Sequence, residues 1–263
     1  MTRRFASALL LSVLASAASA QARSDFRWEK ALPAGNEVSI HNINGDITVL
    51  PSGNGRVEVV GVKRGSGNFD RIKADVQQTS RGITVCVLID EDSYCDDRGM
   101  HSSSRNDRSN HDWNDVRMDI EVTVPTNLTV SANSVSGNIA MTGATGDVRA
   151  NTVSGDVKLD RLRASSVNAN SVSGDVDVSI QEFTGRGDLS FHSVSGNITL
   201  DLPRQLDADL SMSTVSGGIN SDFAMTLGDG RMDRRSLRAR IGNGGRRLDF
   251  STVSGSVKLR ASR

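Results

Sequence analysis

The octapeptide Thr152–Leu159, TVSGDVKL, returns as SVSGNIAM from Ser134, SVSGDVDV from Ser171, SVSGNITL from Ser193, TVSGGINS from Thr214 and TVSGSVKL from Thr252. A looser copy, NINGDITV, opens at Asn42. With the valine of each V-S-G as marker, Val135, Val153, Val172, Val194, Val215 and Val253 lie 18, 19, 22, 21 and 38 residues apart. A unit near twenty residues that recurs this closely marks a stacked repeat fold, because one such unit cannot bury its own apolar face.

Each unit reads as two short strands. Val153, Gly155, Val157 and Leu159 alternate with Thr152, Ser154, Asp156 and Lys158, the period of a half-buried strand. A second short segment precedes each marker, for example VRAN before Thr152 and LSFH before Ser193, and the turns are rich in Gly, Asp and Asn. Helical periodicity is absent, so leucine-rich and helical solenoids fit poorly. The reading is an all-β solenoid with coils of 18–22 residues. In it Val135, Val153, Val172 and their equivalents stack at a spacing of about 4.8 Å into a buried aliphatic column. Each buried valine contributes about 1.5–3 kcal/mol, so stability accumulates winding by winding.

Two further columns follow from the register. Gly137, Gly155, Gly174, Gly196, Gly217 and Gly255 mark the place where each coil turns a corner; a hairpin turn is the alternative. Asn133, Asn151 and Asn170 stand two residues before successive markers, followed by His192, Ser213 and Ser251, and identical amides in register are expected to form a hydrogen-bonded ladder.

Residues 1–20 read as a secretory signal peptide, with Arg3 and Arg4, an apolar run from Phe5 to Ala15, and Ala18-Ser19-Ala20 as the cleavage signal. Gln21 rather than Cys follows the cut, which argues against a lipid anchor, and no later apolar stretch approaches transmembrane length. The chain is therefore expected to be exported, to the periplasm or the cell surface. Cys86 and Cys95 are the only cysteines, and in an exported protein their simplest fate is a disulfide. A metal site on the pair would need further ligands, and none stands at suitable spacing.

Residues 25–125 form a less regular β region with strands expected at Glu37–His41, Asp46–Leu50, Arg56–Lys63, Ile72–Gln78, Ile83–Ile89 and Val116–Val124, starting or capping the solenoid. Residues 126–263 carry the repeats. The polar segment Asp90–Asp115 reads as a long surface loop, in which Asp90, Glu91, Asp92, Asp96 and Asp97 are cation candidates without a known ligand spacing. Between Asn220 and Phe250 the double gap reads as a degenerate coil plus an ordinary one. Its Arg231, Arg234, Arg235, Arg238, Arg240, Arg246 and Arg247 would blunt an exposed edge or meet polysaccharide or lipid phosphate.

Basic and acidic residues number 31 each, which gives no electrostatic case for nucleic acid. No nucleophile elbow, zinc-protease helix, phosphate loop or dinucleotide fingerprint occurs, and no cofactor is implied. The serines of the six V-S-G copies read as structure, since catalysis needs one serine beside a base. A polysaccharide-cleaving β-helix is the enzymatic alternative, resting on Asp147, Asp156, Asp175 and Asp177. Positions matching these acids hold Asn138, Asn197, Gly218 and Ser256, an interchange that suits a turn better than a catalytic acid.

The repeated [ST]-V-S-G-[DN]-[VI], the early NINGDITV, VTVPTNLTV at the first clear repeat and the closing GNGGRRLDFSTVSGSVKL resemble a bacterial family of exported β-strand-repeat proteins. They are adhesin-like proteins of unknown function, related to auto-transporter adhesin head domains. The resemblance implies a right-handed parallel β-solenoid in the cell envelope. Together these readings describe a non-catalytic binding or scaffold protein whose partner is an envelope protein or polysaccharide. A polysaccharide-active enzyme and an envelope-stress accessory protein are the alternatives.

Overall fold

The computed structural model describes residues 24–66, 68–89, 92–102, 116–227 and 235–262. The expected signal peptide, Asp90, Glu91, most of the polar segment, Arg231 and Arg234 lie outside them. The described residues form twenty-two strands and one 3₁₀ turn, Phe69–Arg71, with no α-helix among them.

The chain begins with β1 (Phe26–Lys30), β2 (Glu37–Asn44), β3 (Ile47–Pro51), β4 (Val57–Gly65), β5 (Ile72–Thr79), β6 (Gly82–Ile89), β7 (Ser93–Asp96), β8 (Gly99–Ser102) and β9 (Val116–Val124). The repeats supply β10 (Thr129–Ser136), β11 (Ile139–Thr142), β12 (Thr145–Ser154), β13 (Val157–Ser173), β14 (Val176–Phe183), β15 (Leu189–Ser195) and β16 (Ile198–Leu202). Last come β17 (Ala208–Ser216), β18 (Ile219–Ser221), β19 (Thr226–Leu227), β20 (Ser236–Ile241), β21 (Arg246–Ser254) and β22 (Val257–Ala261). The six strands expected between Glu37 and Val124 are present with ends shifted by at most a few residues.

Each winding runs along a front sheet, turns at the V-S-G corner and returns along a back sheet. The front sheet stacks β6, β2, β10, β12, the second half of β13, β15, β21 and β17 in parallel. The back sheet stacks β9, β3, β11, the first half of β13, β14, β16, β22 and β18, also in parallel. Among the described residues, antiparallel strands cap both ends of the front sheet and the N-terminal end of the back sheet. At the N-terminal end β5 covers β6, and β4 with β1 covers β9. At the C-terminal end β20 covers β17. The sheet is thus mixed, and its antiparallel caps shield terminal strands that would otherwise pair with other chains. Between the two sheets lies one hydrophobic core, with Val38, Ala132, Ala150, Ala169, Phe191 and Phe250 on the front side and Ile47, Ile139, Val157, Val176, Ile198 and Val257 on the back.

Two expectations fail here. First, the marker valines stack in register on neighbouring strands but on the outer face. Val135, Val153, Val172, Val194, Val253 and Val215 are 44–61% exposed. The residues before them point inward: Ser134, Thr152, Ser171, Ser193, Thr214 and Thr252 are buried. Strict alternation through the glycine would place Val153 and Val157 on one face, whereas the corner resets the phase, so that Thr152 and Val157 both face the core. Secondly, the Asn220–Phe250 stretch is not a pair of coils. Its described part holds β19 and the antiparallel β20, after which the chain returns to insert β21 and β22 between the winding of β15–β16 and that of β17–β18. The final winding in sequence is therefore not the last in space.

The corner explains its own sequence. A Cβ on Gly155 would strike the carbonyl oxygen of Gly137. Gly137, Gly174, Gly196, Gly217 and Gly255 likewise face the carbonyls of Gly45, Gly155, Gly174, Gly255 and Gly196. Only glycine lets backbones approach this closely at winding after winding. Buried hydroxyls satisfy five of those carbonyls: Thr152 donates to Gly137 at 2.9 Å, Ser171 to Gly155 at 2.9 Å, Ser193 to Gly174 at 3.1 Å, Thr252 to Gly196 at 3.0 Å and Thr214 to Gly255 at 2.9 Å. The Gly45 carbonyl accepts from Asn42 Nδ2 at 2.9 Å. Except at Gly218, the residue after the glycine supplies an acceptor. Asp46 accepts from the Asn138 amide at 2.8 Å, Asn138 from Asp156 at 2.9 Å, Asp156 from Asp175 at 2.8 Å, Asp175 from Asn197 at 2.7 Å and Asn197 from Ser256 at 3.0 Å. Asp, Asn and Ser interchange there because the position requires an oxygen, not a charge.

Candidate binding face

The outer face of the front sheet presents three rows near the corner. One is the half-exposed valine row. Beside it run His41, Asn133, Asn151, Asn170, His192, Ser251 and Ser213, aligned by the parallel registers. Asn151 Nδ2 donates to Asn133 Oδ1 at 2.9 Å and Asn170 Nδ2 to Asn151 Oδ1 at 2.6 Å, so the amides form a continuous chain. Ser213 Oγ lies 3.2 Å from Ser251 Oγ further along. A third row, two residues earlier, carries Thr84, Ser39, Ser131, Arg149, Asn168, Ser190, Asp249 and Ser211.

A charged cleft stands at each end of this face. The C-terminal one, of about 740 Å³, is lined by Asp209, Arg238, Arg240, Arg247 and Asp249 over Leu210 and Ala239. Arg240 Nε lies 3.1 Å from Asp209, whose carboxyl is held below the usual range by the Gly245 amide and then by Arg240. Among the described residues, β19 covers the outer edge of β20 at Ala239 and Arg240.

Arg246 departs from the surface role expected of its neighbours. It is 8% exposed, lies 4.2 Å over the Phe183 ring and donates to the carbonyls of Ser165, Gly185 and Gly187. Burial lowers its pKa, and Asp188 opposes that shift. Its guanidinium ties the inserted winding to the loops beside it.

The N-terminal cleft, of about 440 Å³, is almost wholly polar. Its floor holds Ser39, His41, Thr84, Ser131 and Asn133, and its rim holds Glu37, Arg81, Arg149, Asp97 and Arg98. One wall is the β7–β8 hairpin, a structured element inside the segment expected to be a loop. Cys86 and Cys95 are disulfide-bonded with Cα atoms 5.9 Å apart, joining the hairpin to β6. Cys86, Leu88, Cys95 and Met100 pack as a small satellite core beneath it. This is why β6 is buried on both faces and reads as an unbroken apolar run, GITVCVLI. The hairpin's Gly99 sits over the His41 ring, where an added Cβ would lie 2.7 Å from Cε1. His41 Nε2 lies 2.9 Å from Ser39 Oγ, and burial lowers its pKa against the opposing pull of Glu37.

Sequence reasoning placed the asparagine row but missed this cleft. Its only signal was the pairing of Cys86 with Cys95, which folds the start of the polar segment back onto β6. The cation candidates Asp92, Asp96 and Asp97 do not converge. Asp96 is engaged by the Arg98 amide and His101, and among the described residues no group of three or more His, Cys, Asp or Glu is placed to hold a metal ion. Of the acids proposed for catalysis, Asp156 and Asp175 each spend an oxygen on a backbone amide of the next winding.

The alignment of this repeat architecture with known families is decisive. The family model Toastrack DUF4097 matches residues 49–260. The chain belongs to the Toastrack DUF4097 family. A candidate cell adhesion protein from Clostridium sporogenes has a similar fold, with a TM-score of 0.52 at 10% identity, covering 90% of this chain and 99% of that one. A candidate adhesin from Bacteroides fragilis aligns at a TM-score of 0.42 and 16% identity over 89% of this Toastrack chain and 96% of its own. No curated protein matches the chain.

Proposed function

We propose that this Toastrack protein is a non-catalytic, adhesin-like binding or scaffold module of the bacterial envelope, exported to the periplasm or cell surface and wound as a right-handed solenoid. The observation that carries the reading is the outer front face, where amide and hydroxyl side chains recur at strand spacing from His41 to Ser213. Such a face offers donors and acceptors in a fixed, pre-ordered array, which lowers the entropy cost of binding a long polar ligand. The adhesion role named for the C. sporogenes neighbour supports the same reading. A disulfide between Cys86 and Cys95 suits an oxidising compartment outside the cytosol. The handedness follows the rule for parallel crossovers.

The test is co-sedimentation of the purified protein with isolated envelope polysaccharide, with release of reducing ends followed in parallel. Saturable sedimentation without new reducing ends is expected. Release of reducing ends would support the enzyme alternative, and absence of sedimentation would remove the binding reading.

A further inference from the structure

We propose that the disulfide-walled cleft around His41 binds an oxyanion carried on a saccharide, either the carboxylate of a uronic acid or a sugar phosphate. The inference deepens the envelope-binding reading and rests on it. The cleft volume, about 440 Å³, falls within the range of small-ligand sites, roughly 300–1,000 Å³. Its lining carries three guanidinium groups, Arg81, Arg98 and Arg149, against two carboxylates, Glu37 and Asp97. The Arg149–Glu37 pair is long, at 3.9 Å, and among the described residues neither Arg81 nor Arg98 has a carboxylate within ion-pair distance. Arginine forks in this state match planar carboxylates and phosphates.

The floor specifies the rest of the ligand. Thr84 and Ser131 are buried polar residues, and with Ser39 and Asn133 they offer hydroxyl and amide groups that both donate and accept, as a sugar ring requires. No Phe, Tyr or Trp lines the cleft, and the His41 ring is covered by Gly99, so charge rather than stacking must supply the affinity. Two covalent or close-packed constraints hold the charged wall in place before any ligand arrives. The Cys86–Cys95 bond fixes the hairpin to β6, and Gly99 rests on His41. At the hairpin tip the Asp96 carboxylate accepts from the Arg98 amide at 2.8 Å, which fixes the turn that presents Arg98. Preorganisation of this kind is what separates a site from a patch of surface arginines.

The experiment is calorimetric titration of the oxidised protein with digalacturonate and with glucose 6-phosphate, and with maltose as the neutral control. Binding of at least one charged sugar is expected, weakening as NaCl is raised, with none by maltose. The responding arm distinguishes the carboxylate from the phosphate source. Arg98→Ala and Arg149→Ala should each weaken binding about tenfold or more. Cys95→Ser should weaken it by loosening the wall, and Arg56→Ala, whose side chain pairs with Glu29 outside both clefts, should leave it unchanged. Maltose binding as tightly as the charged sugars, binding intact in the Arg98→Ala/Arg149→Ala double variant, or no binding of either charged sugar would overturn the proposal. Co-sedimentation separates the two ideas. A double variant that sediments with envelope polysaccharide as fully as the parent removes the cleft and leaves the binding module standing. A parent that does not sediment removes both.

Discussion

The hydroxyl of Thr152 donates to the carbonyl oxygen of Gly137, one winding away, at 2.9 Å, and Thr152 is 4% exposed. The bond is repeated at Ser171, Ser193, Thr214 and Thr252, so five of the six [ST]-V-S-G copies use their first letter in this way, while among the described residues the Ser134 hydroxyl has no hydrogen-bond partner. The valine that follows is half exposed. Thr152→Val keeps the shape and removes the donor, so it should cost about 1–3 kcal/mol. Val153→Thr, on the outer row, should stay within roughly 0.5 kcal/mol. Urea unfolding of the two variants checks the contrast; equal midpoints would mean that the buried hydroxyl is idle.

The glycine column makes a steeper demand. In Gly174→Ala the new methyl meets the Gly155 carbonyl and the Asp156 side chain, and neither backbone can withdraw without breaking a winding on its far side. A loss of more than about 2 kcal/mol is expected, in the range of overpacked cores. Gly53→Ala, whose added Cβ meets nothing within 4 Å, is the matched control and should melt with the parent. Thermal unfolding followed by circular dichroism reads both, and a parent-like Gly174→Ala would refute the account of the corner.

How far the sequence disclosed this fold depends on which interactions are local. The stacking of Val135, Val153 and Val172 was legible because identical residues at one spacing align only in parallel register. Their orientation was not, since Ser154-Gly155-Asp156 changes the phase of the strand and alternation alone carries no record of a corner. The interchange of Asp156, Asn138 and Ser256 pointed away from catalysis, but the reason, an acceptor oxygen for the next amide, needed coordinates. The insertion of β21–β22 beside β15 and β16 was hidden altogether. Every winding presents nearly the same edge, so the local pattern fits any order of stacking. The His41 cleft was hidden for a related reason: its walls come from β2, β6, β12 and the β7–β8 hairpin, far apart in the chain.

Arg246 should matter far more than Arg247. The first donates to three carbonyls from a buried position beside Phe183, while the second is exposed. Arg246→Met leaves those carbonyls without their donor and should cost about 2–5 kcal/mol, with Arg246→Lys intermediate because one ammonium cannot span all three. Arg247→Ala should change stability by no more than about 0.5 kcal/mol. Limited proteolysis sharpens the test. If Arg246 locks the inserted winding, its loss should expose the C-terminal winding to cleavage before the rest of the sheet, and uniform digestion would argue against the lock.

His41 gives the fold a pH dependence whose sign is set by burial. Its pKa in the folded chain is lowered from 6.5, chiefly by desolvation beneath Gly99, with Glu37 pulling the other way. Above pH 6.5 the imidazole is neutral whether the chain is folded or not, and the stabilisation is complete. As the pH falls below that value the unfolded chain takes up a proton that the folded chain resists, so stability declines until the lower folded pKa is passed. His41→Gln removes the titration. The difference in unfolding free energy between parent and variant should therefore narrow or reverse on acidification from pH 7.5 towards pH 5, while the contribution of the other carboxylates cancels between them. Urea denaturation across that range measures the difference, and a constant gap between the two proteins would show that His41 is not held neutral in its cleft.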